Sequence, residues 1–327
     1  MNIAGQSLGT FLARQSVQAA TPLVMAGLGE MVAELTGVIN IGIEGLMLTG
    51  CIAGYAAAGI SGSGAVGLAA AILAGMCAAA VFAGVTVWCG ADQIVAGAAL
   101  NILALGTSGL AWFFYQNSRQ AANRSVGLGR HVGFQSVSIP GLSKIAFFGP
   151  VFFDQYMLFY AAVILATLIW LLLHHTRSGA ILRALGDSPE ACQAAGISVR
   201  TWRTGAVLFA GACAGAAGAY LSIMRTHAFA SDMTGGQGFV VLALVIFGRW
   251  TIPGLIAGCV LFGSINSLQQ TLQTTRYTSD SIFMHALQHI PFEFFQMLPY
   301  LVALLALAAL SRSSSGPRYL GQPWGPP

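Results

Sequence analysis

Eight stretches of this chain, near 16–35, 43–60, 65–89, 93–115, 156–174, 202–223, 252–272 and 293–311, are apolar and long enough to cross a bilayer. No other feature restricts the fold as strongly. In hydrocarbon every backbone N–H and C=O must find its partner inside the protein, which leaves helices and closed barrels. These runs are apolar all round and do not alternate every second residue as barrel strands do. A ninth run, Gly236 to Trp250, is short. The expected fold is therefore all-α, a polytopic transmembrane bundle with about 8–10 membrane segments, including broken or short helices.

Composition agrees with that reading. Hydrophobic residues make up 56% of the 327 residues and charged ones only 7%, against about 25% charged in soluble domains. The net charge of +4 comes from bases scattered at span ends, an ordinary pattern in membranes, so no nucleic-acid partner is expected. Of the six cysteines, Cys51, Cys77, Cys89, Cys213 and Cys259 lie in apolar runs, and no CxxC or metal spacing occurs. His174-His175 and His285-x-x-x-His289 invite a metal, but Ala286 follows His285 where a zinc-protease helix needs Glu. Metal is not expected. With no Walker A sequence, the chain has no P-loop of its own. The N-terminus shows no cleavable leader pattern, so the first span is expected to act as its own address.

One stretch is too costly to be lipid filler. Thr36 to Met47 holds Asn40 and Glu44 among Gly37, Gly42 and Gly45. An ionised Glu at membrane depth costs about 2.5–3.5 kcal/mol on insertion scales, and each glycine weakens a helix by roughly 1 kcal/mol relative to Ala. The stretch reads as a helix broken near the midplane. Thr234-Gly235-Gly236-Gln237-Gly238, before the short run to Phe247, is its faint counterpart. Paired interrupted segments point to a transporter's binding site. Glu44 is then either an acceptor for substrate or a polar pin, and Asn40 either lines the pathway or satisfies freed backbone. Asn101 serves an interhelical bond or a ligand. Gln237 and Phe239 offer an amide and an aromatic face to a heterocycle, or simply pack. Asp92 and Gln93 start a span and suit a cap. Glu30 and Glu34, at i,i+4, share one face. Arg249-Trp250 looks like an interfacial anchor.

Two connections are long, 116–155 and 175–203, and each carries four basic residues, so charge counting does not orient the chain. The second contains a punctuated helix. Asp187 or Ser188 can cap it, Pro189 suits its first position, Glu190 complements its N-terminal dipole, and Gly196 is placed to end it. So short a helix is not stable alone. It must pack on its own protein or dock on another. Residues 312–327, rich in Ser, Pro and Gly, read as a disordered tail.

Taken in order, Thr36–Met47, Ala91-Asp92-Gln93-Ile94-Val95-Ala96-Gly97, Thr176–Ser198 and Gly235–Pro253 resemble the permease subunits of bacterial ABC importers. Within these the chain is most similar to the nucleoside and simple-sugar branch, related to ribose and branched-chain amino acid permeases. The resemblance spans about residues 20–310. It implies a single permease domain over 1–311, multi-pass in the bacterial inner membrane, translocating nucleosides or related purine or pyrimidine compounds, with a ribose-like sugar as the alternative. An ion-coupled secondary transporter is the competitor from another class. It also implies that 175–203 is a cytoplasmic coupling loop and 116–155 extracytoplasmic. Asp187, Ser188, Pro189, Glu190, Ala194 and Gly196 would meet a cytoplasmic ABC ATPase, which binds ATP and Mg, so that this chain is not an enzyme and needs no cofactor. Further partners would be a second permease, identical or related, an extracytoplasmic solute-binding protein and membrane lipid. Asn40, Glu44, Asn101, Gln237 and Phe239 are the expected pathway residues.

Overall fold

The computed structural model describes residues 2–3, 6–121, 134, 136–138, 145, 147–275, 297, 301 and 316–324. The expected last span, 293–311, lies outside them apart from Met297 and Leu301, as do His285 and His289 and most of the 116–155 connection. Eleven α-helices run through the described residues. They are α1 (Leu8–Leu35), α2 (Ile43–Ser61), α3 (Gly64–Ala83), α4 (Gln93–Ala121), α5 (Phe148–Phe152), α6 (Met157–His175), α7 (Arg177–Asp187), α8 (Pro189–Ala194), α9 (Val199–Ala219), α10 (Gln237–Phe247) and α11 (Ile252–Thr275). α3 and α9 each end in a π-helical turn, Gly84–Trp88 and Tyr220–Arg225. Strand is confined there to two two-residue antiparallel ladders, Asn2–Ile3 with Gln6–Ser7 and Val137–Ser138 with Asp154–Gln155.

Six of these segments are long and apolar enough to cross a membrane. Their outer faces confirm the solvent they are built for: Leu73, Ile102, Leu103, Phe113, Ile164 and Leu168 are all more than half exposed. Such a surface would aggregate in water and is what lipid requires. α1 and α9 form the centre. α1 is buried almost continuously from Ser16 to Leu35, and α9 packs on α1, α2 and α3.

What draws these helices together is small residues rather than a hydrophobic drive, which lipid does not supply. Gly211 and Gly215 of α9, a small-xxx-small pair, lie against Gly75 of α3, so closely that a Cβ at Gly215 would collide with the Ala71 carbonyl. Gly50 of α2 meets Gly215 as well. The second pair, Gly254 and Gly258 of α11, lies against Gly248 and Leu244.

The two ends of the bundle differ. At one end Arg14 pairs with Asp154 at 2.8 Å. At the other sit the C-terminus of α1, the start of α4, and α7–α8. The tail composition argues for disorder, yet residues 316–324 are fastened to this end. Tyr319 N donates to Gly186 O (2.8 Å) and Gly321 N to Gly37 O (3.1 Å). Gln322 O accepts from Gln93 Nε2 and Arg203 Nη1, both at 3.3 Å, and Trp324 packs beside Leu185, Cys192 and Val199. Residues 312–315 and 325–327 lie outside the described part.

Candidate functional site

α1 stops at Leu35 because the chain turns there. Gly37 takes φ +88, a conformation L side chains rarely adopt, and its N–H returns to Glu34 O at 2.9 Å. Five residues then run without regular structure through the bundle. Non-helical backbone is tolerated at this depth only if side chains answer its polar groups. They do so one by one. Ile39 N donates to Gln93 Oε1 (2.9 Å), Asn40 N to Glu30 Oε1 (2.9 Å) and Gly42 N to Asn40 Oδ1 (3.0 Å). Thr36 O accepts from Arg203 Nε at 2.9 Å.

Asn101 closes the break from the α4 side. Its Oδ1 accepts from Gly45 N at 2.8 Å and its Nδ2 donates to Ile41 O at 2.9 Å. It stands eight residues into α4, about 12 Å from that helix's start. α10 begins at a similar depth: its 11 residues reach only about 16 Å, half of a hydrocarbon core about 30 Å thick. Two helices therefore start inside the bundle.

Glu44, in the first turn of α2, joins them. Its Oε1 accepts from Thr234 Oγ1 (2.5 Å) and Gly236 N (2.8 Å), and its Oε2 from Gly238 N (2.5 Å). As a carboxylate it is acceptor-only, and here it meets the orphan donors and positive dipole end of α10. It is 7% exposed. The approach depends on Gly238, where an added Cβ would sit 2.5 Å from the Glu44 Cα and N. Gly235 and Gly236, both at positive φ, make the turn that aims these N–H groups.

The geometry thus brings Asn40, Glu44 and Asn101 together around one break, and places Gln237, half-buried, at the first residue of α10 beside the Glu44 contact. Phe239, two residues further along α10, is 47% exposed. Asp92 caps α4, its Oδ1 accepting from Ile94 N (2.8 Å) and Val95 N (2.9 Å).

Some supports were not visible as such in the sequence. Arg203, counted there among loop bases, is 1% exposed and braces the root of the break. Trp250 is no free interfacial anchor: its Nε1 donates to Glu34 Oε2 at 2.6 Å. An Arg just inside the expected 202–223 run is the only local signal for the first.

The punctuated helix is α8, six residues long, opened by Pro189 and ended at Gly196 with φ +79. Asp187 belongs to the end of α7, and Ser188, at the cap position, makes no side-chain cap. α8 packs by one face only. Pro189 and Cys192 are buried, whereas Glu190, Ala191, Gln193, Ala194, Ala195 and Gly196 are exposed.

Over residues 13–309 the chain matches the family described as branched-chain amino acid transport system / permease component. The chain belongs to this permease family. Its relatives include the nucleoside ABC transporter permease NupC of Lactococcus lactis, 32% identical, with 91% of this chain and 92% of that protein covered. The guanosine ABC transporter permease NupQ of Bacillus subtilis is 30% identical over 93% of both chains. A protein of Haloferax volcanii provisionally named a glucose ABC transporter permease is 32% identical over 84% of this chain and 81% of its own. No solved structure matches the permease. It is a multi-pass protein of the inner membrane and a transport subunit rather than an enzyme.

Proposed function

We propose that the permease admits nucleosides, or related purine and pyrimidine compounds, while a separate cytoplasmic ATPase binds ATP and Mg and supplies the power. The end bearing α7 and α8 is then cytoplasmic, and the 116–155 connection faces the solute-binding protein outside. A second permease, identical or related, completes the pathway. One observation supports the reading most directly. α8 is anchored by Pro189 and Cys192 and turns Glu190, Gln193 and a run of small residues outward, a shape suited to a groove on another protein.

A route from that groove to the break can be traced. α8 shares a small apolar cluster with Leu185 of α7 and Val199 of α9, so the three move together. Four residues along α9, Arg203 holds Thr36 O. A push on α8 therefore reaches the root of the 36–42 segment, and through Glu44 the N-terminus of α10. Rocking these half-helices against each other would alternate access to a midplane site, as broken helices do in other transporters.

The substrate class rests on near full-length likeness to permeases named for nucleoside and guanosine. The relative provisionally named for glucose favours a simple sugar as the second reading. Uptake in cells expressing the permease with its ATPase separates them. Labelled nucleoside uptake should be competed by nucleosides and not by pentoses or hexoses. Sugar competition alone would replace the substrate, and uptake by vesicles lacking ATP would overturn the importer.

A further inference from the structure

Where α6 ends, the bundle leaves a half-open cavity of about 850 Å³. Four of the segments that wall it each contribute a basic side chain: His174 from α6, Arg183 from α7, Arg249 from the turn between α10 and α11, and Arg318 from the tail. Among the described residues of the lining one acid, Asp187, faces them. Arg183 and Arg318 against that carboxylate leave the wall with an excess of positive charge. Trp170, 41% exposed, and the exposed Pro253 line the same space above the buried Leu35, Leu173 and Ile252.

The turn that delivers Arg249 is unusual. Arg249 and Trp250 both take φ +54, a left-handed conformation that non-glycine residues adopt only when their surroundings impose it. The backbone is fixed by Arg249 N to Ile246 O (3.0 Å) and Trp250 N to Val245 O (3.2 Å), and the Trp250 indole is committed to Glu34. Strained and pinned, the turn holds its arginine at the cavity. On the opposite wall the Trp170 ring stacks on His174 with centroids 5.1 Å apart.

Neither half of this lining explains the other. A crevice filled by acyl chains has no use for guanidinium groups, and a purely aqueous docking face has none for the exposed apolar surface of Trp170 and Pro253. An amphiphile with an anionic phosphate head uses both. Guanidinium forks match phosphate oxygens two at a time, and basic pockets between membrane helices hold anionic headgroups. We infer that this cavity binds the phosphate of an anionic phospholipid, cementing the tail to α6, α7 and the α10–α11 turn. Inorganic phosphate shares that chemistry and is distinguished by the test. The leaflet rests on the orientation proposed above; the site does not, and a reversed orientation would leave the occupancies below unchanged.

Native mass spectrometry of the full-length permease, released from detergent after exposure to phosphatidylglycerol or phosphatidylcholine, reads the site. One phosphatidylglycerol should stay bound per chain and phosphatidylcholine should not replace it. R183Q and R318Q should each lower occupancy about fivefold, the scale of one basic residue at an anionic surface, and R318K should keep most of it. D187N, which removes the opposing charge, should restore occupancy when added to R183Q, an outcome misfolding does not mimic. Equal retention of phosphatidylcholine, or no change in the R183Q/R318Q pair, would overturn the site. Displacement of the lipid by millimolar inorganic phosphate would overturn the lipid assignment in favour of a soluble phosphate.

Discussion

Replacing Glu44 with Gln tests the seam between α2 and α10 most sharply. The native side chain takes three hydrogen bonds, two at Oε1 and one at Oε2. Glutamine keeps one acceptor oxygen. Turned toward Thr234 and Gly236, its NH₂ points at the Gly238 N–H, donor against donor; flipped, it abandons the other two. Either way at least one buried N–H loses its partner, at about 1–3 kcal/mol, and the remaining bonds lose charge assistance, for a combined loss of about 2–4 kcal/mol. At a few degrees per kcal/mol, the detergent-purified permease should melt roughly 5–15 °C lower, with folded yield and uptake falling together. Aspartate should not rescue, since it is one methylene short of α10. Thr234→Val, combined with Glu44→Gln, should cost less than the sum of the two, because both changes act on the same hydrogen bond. The reasoning fails if Glu44→Gln melts like the native protein while the KM for uptake shifts, for Glu44 would then serve the substrate and not the seam.

Other changes bear on the remaining contacts. Asn101→Asp keeps the acceptor for Gly45 N but loses the donor to Ile41 O, and should lower thermal stability by about 1–3 kcal/mol, visible as reduced folded yield. Ala194→Arg, on the exposed face of α8, should leave melting unchanged and uncouple ATP hydrolysis from uptake; normal uptake would remove α8 from the coupling path. A stop after Ser315 deletes the contacts of Tyr319, Gly321, Gln322 and Trp324. Hydrogen exchange should then rise in 36–42 and 189–195, while exchange in α9 stays slow.

The spans were legible because lipid imposes one rule on every residue of a run: the expected 43–60, 65–89 and 156–174 lie within two residues of α2, of α3 with its π-turn, and of α6. The price of Glu44 was legible too, but its partner was not, since Thr234 is 190 residues away and nothing local encodes that meeting. Pro189 and Gly196 marked α8 through backbone chemistry. Ser188 did not cap it, because α7 runs on through Asp187 and delivers the chain at an angle unsuited to a side-chain cap. Tail order was invisible for another reason. Its composition has no hydrophobic period, and residues 316–324 are held by backbone hydrogen bonds to Gly37 and Gly186, by the Gln93 and Arg203 side chains on Gln322 O and by one indole, which composition does not weigh. Arg203 misled for the same cause: a base near a span end looks solvated until the carbonyl it holds is known.

The central claim is that substrate passes the seam where α2 and α10 begin. Gln237→Cys, in a background without the exposed Cys77 and Cys89, places a thiol at that seam. A membrane-impermeant thiol reagent should label it during turnover, and transported nucleoside should protect it. A thiol at 237 that stays unlabelled in every state, or is labelled equally with and without nucleoside, would contradict the claim.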